Sequence, residues 1–275
     1  MDLSNLLLLN AGVIAGCMVS LWLLSLWLKD ASIVDLFWGF GFVVISWVSL
    51  LNAAAPTTAA WMTTILVTIW GCRLAGYLSW RNIGKGEDSR YTEMREKPGR
   101  NFALFSLFVI FGLQGTIMWI VSLPLQVIPT LDASFSTLTP LGLLLWLTGV
   151  SFESIGDFQL ARFKSNPANR GKVLDQGLWH YTRHPNYFGD FLVWCGYYVL
   201  AISFDASAWW TIIGPALMTF CLLWFSGVAH LEKRIQNRRP EYADYIRRTS
   251  SFFPWPPASK EESSSLSSHS HSPTS

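Results

Sequence analysis

GLWHYTRHPNYFGDFLVWCGYYVLA, residues 177–201, sets His180, Tyr181, Arg183, His184, Asn186, Tyr187 and Asp190 directly ahead of an apolar run. Pro185 suits the first turn of a helix, where its missing N–H costs nothing. The run behind it reads as a helix entering a membrane, and the rest of the chain supports that reading. No charged residue occurs from Asn5 to Leu28 or from Ala103 to Val127, and windows of about 18 or more such residues span a hydrocarbon core about 30 Å thick. Only 14% of the 275 residues are charged against 51% hydrophobic, where soluble domains carry about 25% charged. The fold class expected is therefore all-α, a polytopic membrane bundle of about seven transmembrane helices with a cytoplasm-facing cofactor pocket.

The charge-free windows place the spans at roughly 5–28, 32–51, 58–80, 103–127, 135–157, 186–204 and 207–229. Basic residues alternate between the connections. Residues 81–100, 161–184 and the segment after 229 are rich in Lys and Arg, whereas 52–57, 128–134 and 205–206 hold none. The positive-inside rule makes the basic side and the C-terminus cytoplasmic and the N-terminus external. The first run lacks the basic flank of a cleaved signal peptide and is expected to remain as a span. Residues 1–257 are expected to form a single membrane-embedded domain whose cofactor-binding half is about 135–257. The Ser-rich 258–275 is expected to be a disordered tail.

A net charge of +2 argues against a nucleic-acid partner. Cys17, Cys72, Cys195 and Cys221 each stand singly in apolar runs, which predicts buried thiols and neither disulfides nor a metal site. No obligate protein partner is implied. The expected partners are membrane lipids and a lipophilic small molecule.

Three segments on the basic side carry chemistry. Arg73, Tyr77 and Arg81 share a helix face; Arg81 suits snorkelling to headgroups, but Arg73 lies deep enough to mark a ligand site. Glu153 and Asp157 are one turn apart at membrane depth and need a cation or a donor-rich ligand between them; an ion pair with Arg73 or Arg183 would also serve. Arg183 and His184 precede a helix start that attracts phosphate, and Asn186 and Asp190 suit amide or ribose hydroxyl recognition. Beyond the last span, Glu232, Arg234, Tyr242 and Tyr245 fit either around a nucleotide or on an anionic lipid surface. No GxGxxG follows a strand and no GxxxxGK[ST] occurs, so a nucleotide would not sit on a Rossmann or P-loop unit. The combination describes a site where a soluble anionic cofactor meets a lipophilic substrate.

VDLFWGFGF (34–42), GEDSRY (86–91), QGTIMWIVSLP (114–124), SFESIGDFQLARFKSNPANRGKV (151–173), GLWHYTRHPNYFGD (177–190) and EKRIQNRRPEYADYIRRTSSFFPW (232–255) together resemble the steroid 5-alpha-reductase family, most closely its broad multi-span branch. The resemblance implies NADPH-dependent reduction of a carbon–carbon double bond in a sterol, steroid or other enone lipid. It implies a membrane of the endoplasmic reticulum for a eukaryotic chain, or the inner membrane for a bacterial one. It places Asp157, Lys164, Asn186, Tyr187, Asp190, Arg234 and Tyr242 around the cofactor, with Arg73 and Tyr77 beside the dinucleotide. Trp70 stands where the steroid reductases have a substrate-facing tyrosine, which points away from a steroid 3-ketone. Asp35, Tyr91 and Tyr187 are then the candidate catalytic proton donors. S-adenosylmethionine-dependent lipid or isoprenylcysteine methyltransferases share an Arg-His-Pro-x-Tyr segment and are the alternative. The acidic end of NYFGD, the GEDSRY loop and the number of arginines favour the reductase, since NADPH brings several phosphate charges. A non-enzymatic lipid carrier is disfavoured, because no internal repeat occurs and the polar residues lie on one side rather than at the midplane.

Overall fold

A computed structural model of the chain describes residues 1–96, 98–225 and 242–258, and among these there is no strand. Six described helices are long and apolar enough to cross a membrane. They are α1 (Leu3–Leu28), α2 (Ile33–Leu51), α5 (Phe102–Val121), α7 (Thr139–Ser165), α9 (Pro185–Phe204) and α10 (Ala206–Trp224). The remaining expected span, 58–80, forms as α3 (Thr58–Asn82), whose 25 residues would reach about 37 Å. Arg73 and five threonines in and just before α3 dilute its apolar run, so by composition the count is six rather than seven. Shorter helices fill the connections: α4 (Ser89–Glu96), α6 (Leu123–Val127), α8 (Leu178–Tyr181) and α11 (Tyr242–Arg248). The protein is an integral membrane helical bundle.

Contacts divide the chain into two compact units, Met1–Gly142 with Tyr197–Leu217 and Leu143–Gly196 with Met218–Ser275. In the first unit α1 starts on Asp2, whose side chain accepts the Asn5 N–H at 2.8 Å, and stops at Lys29 in the left-handed region (φ 56°). Helices α2 and α3 touch at Gly39 and Gly71, where an added Cβ would come within 2.6 Å of the opposing carbonyl oxygen. Membrane helices without a hydrophobic drive toward each other gain contact through such small residues. Beside that contact Trp70 is fully buried, its ring 5.8 Å from Phe42 and 6.3 Å from Tyr197. Toward the Leu51 end of α2, buried Asn10 donates to Ser49 (2.8 Å) and Gln126 (3.1 Å), tying α1, α2 and α6 together. Within α5 the stretch Ser106–Gly112 is π-helical, which rotates the residues after it, Gln114 included, relative to a regular helix.

The second unit repeats the glycine device. A Cβ on Gly189 would lie 2.5 Å from the Gly149 oxygen and 2.6 Å from the Glu153 nitrogen, both backbone atoms. Gly156 likewise accommodates Pro185, the first residue of α9. The segment 242–258 is strapped along residues 177–183. Arg183 N–H donates to the Ser250 carbonyl (2.9 Å), Trp255 N–H to Tyr181 (2.9 Å), and the Thr182 hydroxyl to Phe252 (2.9 Å). Phe188, Phe191, Phe252 and Phe253 pack edge-to-face beneath it.

Of the four thiols expected to be buried only Cys221 is so; Cys17 and Cys195 are half-buried and Cys72 is exposed. A thiol is apolar enough for the lipid-facing side of a membrane helix, so an apolar run does not imply burial there. Residues 226–229 of the last expected span and 259–275 of the expected tail lie outside the described residues, while the Ala258 N–H is held on the Arg248 carbonyl at 3.0 Å.

Candidate functional site

GEDSRY builds the polar centre of the first unit. Gly86, at φ 75°, turns the chain. Asp88 then caps α4, its carboxylate accepting the Arg90 N–H at 2.9 Å and its carbonyl accepting the Tyr91 N–H. Glu87 accepts the Ala31 N–H (2.8 Å) and a two-pronged contact from Arg95 (2.6 and 3.1 Å), which fastens the loop to the α1–α2 connection. Arg95 also lies over the Phe102 ring at 4.0 Å. With the loop so fixed, Arg90 and Tyr91 both reach Asp35 in the first turn of α2. The Tyr91 hydroxyl donates to one Asp35 oxygen at 2.6 Å, and Arg90 donates to the other at 2.7 Å. Gln114 donates to the Tyr91 oxygen at 3.1 Å.

The electrostatics follow from that geometry. Burial pushes the Tyr91 phenol up, and the Asp35 carboxylate beside it pushes it further. Burial alone would lower the Arg90 guanidinium, but Asp35 and Asp88 outweigh it and hold it above its ordinary range. Burial likewise opposes ionisation of Glu87, yet Arg95 and the Ala31 N–H hold its carboxyl below the usual value. The result is a continuous chain, Arg90–Asp35–Tyr91–Gln114, in which Asp35 accepts from Arg90 and Tyr91, and Tyr91 keeps its proton. Sequence reasoning named Asp35 and Tyr91 but missed Arg90 and Gln114. Gln114 opens the quoted QGTIMWIVSLP segment, a polar residue inside a span, and that was the available signal.

The second unit gathers a different set. Glu153, Asp157 and Asp190 are 3%, 5% and 9% exposed. Asn186 Nδ2 approaches Asp157 at 3.4 Å, across the close approach that Gly149, Gly156 and Gly189 allow. His184, also buried, stacks on Tyr187 with ring centroids 5.4 Å apart. Arg183 turns to the C-terminal strap: Nη1 donates to the carbonyls of Ile246 (2.9 Å) and Thr249. Tyr245 donates to the Trp179 carbonyl, and Tyr242 packs against Tyr245 at 5.6 Å. Lys164 is exposed at the end of α7, and Arg234 lies outside the described residues.

Of the α3 residues, Tyr77 carries the Arg81 guanidinium over its ring at 5.6 Å, and Arg81 donates to Asn82, as snorkelling toward the helix end requires. Arg73 is half-buried with Nε and Nη2 shut off from solvent. Asp35 and Tyr91 thus come together in the first unit, and Asp157 and Asn186 in the second. Tyr187, the third catalytic candidate, belongs to the second unit.

Buried carboxylates, amides and an arginine thus stand within a polytopic membrane helical bundle, where such groups are costly and rare. The chain belongs to the family described as "Protein of unknown function (DUF1295)", whose model matches residues 21–249. It is 25% identical over 262 residues to an uncharacterised protein of Schizosaccharomyces pombe, covering 85% of this chain and 75% of that one. It is 34% identical over 90 residues to human 3-oxo-5-alpha-steroid 4-dehydrogenase 1, a match covering 32% of this chain and 31% of that protein. The Bos taurus protein of the same name is 33% identical over 91 residues. The match thus spans about a third of these steroid dehydrogenases. No solved structure matches the chain. These similarities agree with the resemblance to the steroid 5-alpha-reductase family.

Proposed function

We propose that this protein is a membrane oxidoreductase that reduces a carbon–carbon double bond of a lipophilic enone with NADPH. The observation that carries the reading is the similarity to the 3-oxo-5-alpha-steroid 4-dehydrogenases. The buried donor set is compatible with a dinucleotide: carboxylates and an amide suit ribose hydroxyls and a carboxamide. In this reading Asp157, Asn186 and Asp190 hold those groups, and Lys164 carries charge that a phosphate needs. Arg183, with Nη1 on backbone carbonyls, fastens the strap bearing Tyr242.

NADPH would supply the hydride taken up by one alkene carbon. The other carbon needs a proton, and two phenols are candidates for holding it. Tyr91 is held between Asp35 and Gln114 with its proton retained, and Tyr187 lies against His184. Full burial of Trp70, where a substrate-facing tyrosine would stand, favours a lipophilic substrate other than a steroid 3-ketone. Residues 1–257 act as one reductase-like domain with the basic connections on the cytoplasmic side, where the soluble cofactor is found.

Thermal unfolding of the detergent-purified protein with NADPH, NADH and S-adenosylmethionine, side by side, tests the reading. NADPH near 100 times its dissociation constant should stabilise by about 2.7 kcal/mol. Asn186→Ala should abolish most of that shift while membrane insertion is unchanged. Stabilisation by S-adenosylmethionine alone would replace the reductase with a methyltransferase.

A further inference from the structure

Between Asp157 and Asp175 the chain contains Arg162, Lys164, Arg170 and Lys172 and no acidic residue. All four are exposed. Elsewhere in the second unit arginines meet carboxylates: exposed Arg247 pairs with Asp244, and half-buried Arg248 lies 3.7 Å from Asp175. Arg162 and Arg170 have no carboxylate partner among the described residues.

The shape of this connection is fixed by its own hydrogen bonds. Asn166 accepts the Ala168 N–H at 3.0 Å, starting the turn Pro167–Asn169, and the Asn169 amide returns to the Phe163 carbonyl at 3.1 Å. The basic residues are therefore kept near the end of α7. Along α7, Leu144, Leu147, Ile155 and Phe158 form an exposed apolar stripe at helical spacing, and Phe158 is 64% exposed. On a membrane-spanning helix such a stripe faces acyl chains. Arg162 continues it one turn beyond Phe158, about 6 Å further along the axis. That rise carries the side chain from the acyl region to the headgroups, and the rest of the loop follows at the same level.

We infer that the α7–α8 connection is a docking surface for anionic phospholipid headgroups of the leaflet that the C-terminal end of α7 reaches. Charge complementarity commits the occupant: Arg162 and Arg170, exposed and without a carboxylate partner among the described residues, lie at headgroup depth in continuation of a lipid-facing stripe and meet lipid phosphates and serine carboxylates before any soluble anion. A polybasic segment beside a membrane helix gains from each charge held near an anionic surface, and the gain decays within a Debye length of about 8 Å at physiological salt. The inference is independent of the reductase reading, because Arg162, Arg170 and Lys172 stand outside the proposed cofactor residues.

The full-length protein would be reconstituted in phosphatidylcholine membranes containing a minority of spin-labelled phosphatidylserine or spin-labelled phosphatidylcholine. Relative association of the two labels is the readout. Wild type should prefer phosphatidylserine several-fold, and the preference should fall toward one near 1 M salt, where screening acts over about 3 Å. The combined Arg162→Gln, Arg170→Gln and Lys172→Gln variant should lose at least half of the preference. Arg247→Gln, at a paired arginine, should leave it unchanged. Arg162→Glu alone provides a second variant, with a preference lower than that of Arg162→Gln. Equal preference in wild type and the combined variant would overturn the inference. So would a variant that keeps its lipid preference but loses stabilisation by NADPH, which would give the loop to the cofactor.

Discussion

Arg90 and Arg95 in the first unit and Arg183 in the second are spent differently, while Arg247 and Arg248 of the second unit meet carboxylates as the first pair do. In the first, Arg90 and Arg95 answer side chains: Asp35, Asp88 and Glu87. In the second, Arg183 answers backbone, donating to the carbonyls of Ile246 and Thr249. A side-chain partner is written in the sequence as an opposite charge, whereas a carbonyl partner is offered by every residue. The first arrangement fixes charge and proton positions around Tyr91. The second fixes a segment of chain, residues 242–258, against the RHPNY stretch.

What the units share is close helix contact through glycine, and breaking it should cost most. Gly189→Leu meets only backbone atoms of Gly149 and Glu153 within 2.6 Å, so nothing can swing away. A loss of about 3 kcal/mol or more, at the upper end of overpacking costs, is expected in the thermal unfolding of the purified protein. A mild effect would mean that α7 and α9 can separate there.

Arg183→Lys sharpens the contrast next. Both carbonyls are served from the single Nη1, and a lysine nitrogen ends one bond short of that position, so it should fail to reach both, with a loss of about 2 kcal/mol and faster proteolysis within 242–258. Full retention by Lys would show that a cation anywhere near these carbonyls, and not the reach of the guanidinium, holds the strap.

Tyr91→Phe probes the first unit and should cost about 1 kcal/mol for the buried hydroxyl. It also carries a pH signature. The folded phenol is raised above its unfolded value, so its stabilising contribution is complete below about pH 10 and is lost as pH rises beyond it. The variant should unfold less steeply above that pH than wild type. Identical alkaline limbs would separate Tyr91 from the proton-holding role. Smallest of all is Arg247→Ala: its partner Asp244 is on the same exposed helix face, and a change within about 0.5 kcal/mol is expected.

Much of the fold was legible because lipid imposes a strict rule. A segment at membrane depth must satisfy its backbone internally, so charge-free windows became helices nearly where the sequence placed them. α3 escaped the count because Arg73 and its threonines sit inside a helix that the bundle still needs. Cys72 was misjudged because in lipid an apolar residue has two apolar surroundings to choose from, the core and the bilayer.

Within the candidate site, Asp35 and Tyr91 were readable as polar residues beside a span. Their pairing was not, since 56 positions separate them and only the Glu87 and Asp88 contacts bring the loop onto α2. Arg183 was read from its type and its place ahead of a helix start, whereas its contacts with Ile246 and Thr249 depend on the path of a distant segment.

By itself the sequence determined the membrane-spanning character, the helical class, the family and the pool of ionisable residues. These depend on composition and on spacing within one element. Tertiary structure decided which acid meets which donor: Asp35 with Tyr91 and Arg90, Asp157 with Asn186, and Arg183 with a strip of carbonyls. Hydrogen bonds act over about 3 Å. Closing that distance between residues far apart in sequence depends on where glycines let helices touch and where capped turns aim the chain.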